Sequence, residues 1–308
     1  MNKLFEILWI RSMKGVGKVR FNRVYADLLK RISTCEECEA LIEKCEPTAT
    51  KDDINEAKKK AEVAITTLSN FSDITAVTLY DDEYPRKLMD LKEKKPPIIY
   101  VKGSLDYLLL PSMAVVGTRK PSQWTTLVED RFIHKVIELK DLVIISGLAL
   151  GCDSLAHEAA LAINGKTIAV LPSGVNVITP ATNKKLATSI VASGGCLVSE
   201  YFPTEIANKS TYVERDSIIA ALSGSTYVME CAEKSGTMHT VNAAYKIGRN
   251  IACYYIEDTA KGDYSGNLHA MKSMGAQKVA NTEELEGFLN FYNCVTNNEQ
   301  LTIFETQI

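Results

Sequence analysis

The chain has 308 residues, 46% hydrophobic and 24% charged, with a net charge of −3 and an isoelectric point near 5.9. That apolar content can build a sizeable core, and the length fits about two domains. No run of about 18 apolar residues occurs, so no helix is expected to span a membrane, and the mildly acidic balance argues against a generally basic nucleic-acid coat while leaving room for a local basic groove.

The opening "MNKLFEILWIRSMKG" has a short apolar stretch broken by Glu6 and followed by Arg11, with no small-residue cleavage site. It does not read as a signal peptide, and a cytoplasmic location is expected. Residues 1–66 are dense in Leu, Ile, Lys and Glu and predict a small helical domain, with breaks at "KGVGK" (14–18) and "EPTAT" (46–50). The "GVG" resembles the turn of a helix-hairpin-helix unit, although a plain bundle turn explains it better. Cys35, Cys38 and Cys45 raise the question of zinc, but no His lies near them to complete a ligand set. Reduced thiols are therefore expected, with no metal and no cofactor.

Residues 67–110 read as a connector with an edge strand at "PIIYVKG". From 111 to 290 short apolar runs alternate with segments of helical period: "MAVVG", "LVIIS", "TIAVLP", "CLVSE", "TYVME" and "IACYY" each precede or follow a helix-like stretch. Continuous apolar strands alternating with helices predict an α/β fold, a Rossmann-like, doubly wound and mostly parallel sheet preceded by the helical N-terminal domain. Ligands in such sheets bind beyond the carboxyl ends of the strands. Here those ends carry "GTRK", "SGLALG", "PSGVN", "SEYFP" and "ECAEKSGT", loops whose amides and helix N-termini favour anions. Neither G-x-G-x-x-G at the first strand nor a Walker lysine motif is present, which speaks against an ordinary NAD enzyme or P-loop NTPase.

Taken in order, "AVVGTR", "ISGLALGCDSLAHEAAL", "GKTIAVLPSGVNVITPATNKKL", "GGCLVSEYFP", "ERDSIIAALS", "VMECAEKSGTMHTVNAAYKIGR" and "SGNLHAMKSMGA" resemble the successive motifs of the DNA-processing protein A family (DprA, also called Smf), from about Tyr84 to Val279. The resemblance implies a non-enzymatic protein that binds and protects single-stranded DNA on the rim of its sheet. It further implies loading of the RecA recombinase, a homodimer, and a role in natural transformation, competence and DNA recombination. The DNA-binding positions it implies are Gly117, Thr118, Arg119, Ser146, Gly147, Leu148, Ser199, Glu200, Arg215, Ser235, Gly236 and Thr237, to which we add Lys184, with Lys185 and Lys209, as compensating cations. The compensation is needed because the family usually reads R-N-R where this chain has Arg215, Asp216 and Ser217, so weaker and less salt-sensitive binding is expected. Thr179 stands where the family commonly has Tyr, and the winged-helix domain carried by many members is not expected.

Two alternatives need weighing. Cys152, Asp153, Ser154 and His157 fall within six positions, and a nucleophile with its base would require them to converge. We expect a structural role instead, with Asp153 capping a helix and His157 bonded to Asp153 or a nearby loop. Glu200 and Glu230, at two strand ends, could pair as in phosphoribohydrolases, which would make the chain a nucleotide or nucleotide-sugar sensor or hydrolase on the same rim. His239 is expected in packing or capping, Trp124 in the core, and Tyr201 and Phe202 as rim aromatics able to stack on bases. Residues 291–308 read as a flexible tail whose "QLTIF" (Gln300, Leu301, Ile303, Phe304) resembles peptides that dock on the replicative sliding clamp; packing on the body is the other reading.

Overall fold

The computed structural model describes residues 3–290. Five helices come first: α1 (Lys3–Ser12), α2 (Lys18–Val24), α3 (Ala26–Leu29), α4 (Cys35–Cys45) and α5 (Lys51–Leu68). Thr34 and Thr50 start α4 and α5 through reciprocal capping boxes with Glu37 and Asp53, which is why the chain turns at "EPTAT". The apolar faces of these helices enclose Ile7, Trp9, Phe21, Tyr25, Ile42 and Ile54, and the Trp9 Nε1 donates to the Ile54 carbonyl at 3.0 Å.

The segment after α5 contributes two strands, β1 (Ile74–Thr78) and β2 (Ile98–Gly103), where one was expected. The regular alternation then runs β3 (Ser112–Val116), α6 (Gln123–Lys140), β4 (Val143–Ser146), α7 (Cys152–Ala162), β5 (Thr167–Val170), α8 (Lys184–Ala192), β6 (Cys196–Ser199), α9 (Lys209–Leu222), β7 (Ser225–Val228), α10 (Thr237–Lys246), β8 (Asn250–Cys253), α11 (Ser265–Met274), β9 (Gln277–Lys278) and α12 (Thr282–Leu289). The nine strands form one sheet in the order β1-β2-β6-β5-β4-β3-β7-β8-β9. From β6 to β9 neighbours are parallel, whereas β1 and β2 close one edge antiparallel.

Every residue of β3 to β7 is buried, as a sheet covered on both faces requires. On one face an apolar cluster continues from the sheet into the N-terminal helices; on the other, Phe132 stacks on Tyr227 with ring centroids 3.7 Å apart. The chain lays down β3 to β6 in one direction and then returns to place β7 on the other side of β3. This reversal opens a crevice at the carboxyl ends of β3 and β7, the position at which doubly wound sheets hold ligands. Among the described residues no helix is long and apolar enough to cross a membrane.

Candidate functional site

A cavity of about 630 Å³ occupies that crevice. Gly117, Thr118 and Arg119 after β3, Asp153 on α7, Arg215 on α9, and Ser235, Gly236 and Thr237 before α10 all line it. Backbone bonds hold the loops in place: Thr118 N–H donates to the Glu230 carbonyl at 2.7 Å, Cys152 N–H to the Thr118 carbonyl at 3.1 Å, and the Thr237 hydroxyl to the Gly117 carbonyl at 2.8 Å. At Gly151, which begins α7 with φ +78°, a Cβ would run into the backbone of Thr118 and Arg119.

The floor is organised around Arg215. Its side chain is only 5% exposed and lies 3.6 Å from Asp153 and, through Nε, 3.4 Å from Asp216. A Cβ on residue 147 would fall inside its guanidinium, so Gly147 is what admits Arg215 beneath the "SGLALG" loop. Gly147 itself faces a smaller adjoining cavity that shares Arg119, Tyr212 and Arg215 with the main one. The Nε of Arg215 is buried and has no hydrogen-bond partner. Burial raises the Asp216 carboxyl to about 6, an effect Arg215 opposes and Asp153 adds to.

The mouth is cationic. Arg119 and Lys209 are exposed there, and no ion pair ties either among the described residues. Asn208 starts α9 by accepting from Ser210 N–H at 2.9 Å and Thr211 N–H at 3.3 Å, which sets Lys209 in the first turn. The Tyr212 ring forms a wall, with the Arg119 guanidinium 5.6 Å from its centroid and its hydroxyl 3.3 Å from the Thr179 hydroxyl. Tyr212 and Thr240 were not singled out from sequence. Lys209, Tyr212 and Asp216 recur at i, i+3 and i+7, a helical face that spacing alone would have exposed.

Several expected positions lie elsewhere. Ser146 is fully buried, its hydroxyl donating to the Val115 carbonyl at 2.7 Å, and Leu148 is fully buried at φ +56°. Ser199, also fully buried, accepts from Tyr201 N–H at 3.0 Å. Glu200 is bonded at 2.7 Å to Lys18 of α2, and Lys184 is exposed outside the cavity. Three strand spacings separate β6 from β3, about 14 Å, which is why the loop after β6 does not reach the crevice. Phe202 packs edge-on against Tyr100 at 5.7 Å, and neither it nor Tyr201 lines the cavity. His239, expected in packing or capping, is exposed and lines the cavity. Trp124, expected in the core, is 38% exposed: its Nε1 donates to the Tyr254 hydroxyl at 2.8 Å and Lys261 sits 4.3 Å above its ring. The tail positions Gln300, Leu301, Ile303 and Phe304 lie outside the described residues.

The reactive cluster does not assemble a nucleophile. Asp153 does not meet His157 and does not cap α7; it accepts from Ala149 N–H at 3.3 Å and faces Arg215. His157 reaches the Thr167 hydroxyl at 2.7 Å, and that hydroxyl gives its own proton to the Ile144 carbonyl at 2.8 Å. The proton in the first bond therefore belongs to Nδ1 of a neutral imidazole, whose titration burial lowers to about 3, with Arg215 adding to the effect. Burial pushes the Cys152 thiol far up, and Ser154 donates to the Ala149 carbonyl at 2.5 Å. Glu230 accepts from Ser122 N–H at 2.9 Å and Asp263 N–H at 3.2 Å, four strand spacings, about 19 Å, from the strand bearing Glu200. The two carboxylates cannot act as a pair. Among the described residues no group of three or more His, Cys, Asp or Glu is placed to hold a metal.

Comparison with known proteins bears on the family and the fold. Residues 75–290 match the family model "DNA recombination-mediator protein A". The DNA processing protein DprA of Streptococcus pneumoniae is 34% identical over 217 residues, 70% of this chain and 74% of that protein. Its X-ray structure superimposes with a TM-score of 0.77 at 28% identity, covering 93% of this chain and 98% of that one. Protein Smf of a Synechocystis strain is 36% identical over 56% of this chain, a match spanning 43% of its own length. A structure of DNA processing protein A from Helicobacter pylori, described for its single-stranded DNA binding mode, gives a TM-score of 0.60 at 26% identity over 73% of this chain and 97% of that one.

Proposed function

This chain belongs to the DNA recombination-mediator protein A family, and from that premise we propose that the crevice between β3 and β7 binds single-stranded DNA. One observation carries the reading: among the described residues Arg119 and Lys209 stand without carboxylate partners, at the mouth of a cavity walled by an aromatic ring and floored by Arg215. Unpaired cations take phosphates with release of counterions, and Tyr212 offers a face on which a base stacks without regard to sequence. Glu200, Ser146 and Ser199 act in this reading as supports of the fold, not as DNA contacts.

The family places such binding upstream of recombination. The protein would shelter the strand and load RecA on it, as a homodimer in the cytoplasm, during DNA uptake, and the "QLTIF" peptide would add a clamp contact. A binding and loading role agrees with reactive groups that are bonded into the scaffold. The test is single-strand affinity against salt: Arg119→Ala and Lys209→Ala should each weaken binding and reduce the slope of log affinity on log salt by about 0.7. Unchanged affinity and slope in both variants would refute the assignment.

A further inference from the structure

The charges of the cavity are layered. Arg119 and Lys209 are exposed at the mouth, whereas the Asp153 and Asp216 side chains lower down are only 10% and 14% exposed. Among the described residues Arg215 is the cation in contact with both carboxylates, with His239 and Arg119 acting on Asp216 from further off, so the floor keeps an excess of negative charge. A phosphate seated there would meet net repulsion, while at the mouth it meets two cations free of ion pairs. A strand entering the cavity therefore keeps its phosphates outward and turns a base inward along the Tyr212 ring.

The floor then presents a pattern to the edge of that base. The Asp216 carboxylate lines the cavity and offers a pair of acceptors, while the buried Arg215 Nε behind it, 3.4 Å away, keeps it charged. Guanine alone among the four bases has two donors side by side on its edge, N1–H and N2–H, to meet both oxygens of one carboxylate. Thymine supplies N3–H but no second donor, and adenine and cytosine supply one amino group beside one ring acceptor. We propose that Asp216 makes this cavity select guanine in the bound strand.

The inference rests on the single-strand reading, so its test must separate the two. Competition binding compares an alternating guanine–thymine strand with an equal-length thymine strand, about two pH units above the Asp216 titration so that the carboxylate is charged. The wild type should hold the guanine-bearing strand about tenfold more tightly, the worth of one extra charge-assisted hydrogen bond. Asp216→Asn puts an amide donor against a guanine donor and should bring the ratio close to one, with the guanine-bearing strand losing the larger share of its affinity. Equal affinity of the wild type for both strands, or the same ratio in the variant, overturns the selection and leaves single-strand binding standing. Failure of the wild type to bind either strand overturns both.

Discussion

Gly147→Ala places one methyl group where the Arg215 guanidinium now sits. The obstructing atoms are the guanidinium that ends the long Arg215 side chain and, at 2.8 Å, the Asp153 Oδ2, so the backbone need not move; Arg215 must instead leave the floor. Asp153 then keeps only the Ala149 N–H at 3.3 Å and loses its cation at 3.6 Å, although its side chain is just 10% exposed. Stranding one member of a buried ion pair costs about 3–5 kcal/mol. For a domain of this size each kcal/mol corresponds to about 2–4 °C, so the melting temperature should drop by on the order of 10 °C. Single-strand affinity should fall as well, because a displaced Arg215 crowds the cavity it used to floor. Thermal melting and anisotropy titration of Gly147→Ala, Arg215→Ala and the double variant give a complete cycle. The losses should be non-additive: once Arg215 is absent, the methyl at 147 should cost little. A melting temperature within about 2 °C of wild type, or losses that simply add, would show that Arg215 does not need the room Gly147 leaves.

Asp216→Asn should alter the pH dependence of stability. The folded carboxyl titrates at about 6, above its unfolded value near 3.9, so the folded state holds a proton that the unfolded state has already lost. Wild-type stability therefore declines as pH rises from about 4 to about 6; the variant, lacking this titration, should match wild type at the acid end and melt several degrees higher at about pH 8. Melts at the two ends check the sign. Lys18→Ala should lower stability by about 3 kcal/mol, since it strands Glu200, whose side chain is 6% exposed, beside Glu214; adding Glu200→Gln should restore part of that loss in a denaturant titration. Thiol labelling of the native protein at about pH 8 should proceed at Cys35 and Cys45 before Cys196 and Cys253, whose thiols burial pushes up to about 12; mass mapping of the labelled sites reports the order.

The parallel sheet was legible because strands buried on both faces must be apolar throughout, and "MAVV", "VIIS", "TIAV" and "CLVS" are bounded by helix-period segments. The rim loops were legible for the same reason: they stand at strand ends, and topology decides where those ends gather. What escaped was direction. Ser146 ends a strand at the rim, yet its hydroxyl turns sideways to Val115, and Glu200 ends another rim strand yet turns toward Lys18 of a distant helix. His157 was expected on Asp153 or a nearby loop, but it bonds instead to Thr167 of β5. Trp124 stays 38% exposed while its indole N–H bonds to the Tyr254 hydroxyl, 130 residues away in the chain. Each of these choices rests on a contact between distant parts of the chain, which local spacing does not carry.

The position of Arg215 also changes what the substitutions after it mean. Read along the chain, Asp216 and Ser217 replace an amide and a cation on a DNA-facing turn, and a shallower salt dependence was expected. In the fold Arg215 is buried as the counterion of Asp153, and Ser217 does not line the cavity. The salt slope should then follow Arg119 and Lys209, the exposed cations at the mouth, and owe little to residue 217. Asp216 acts on a different property. It leaves the floor with one carboxylate more than Arg215 can neutralise. An excess carboxylate adds little to phosphate affinity, but it ranks bases by the donors on their edges. Retained affinity with altered base preference is thus the combination that this pair of substitutions should produce.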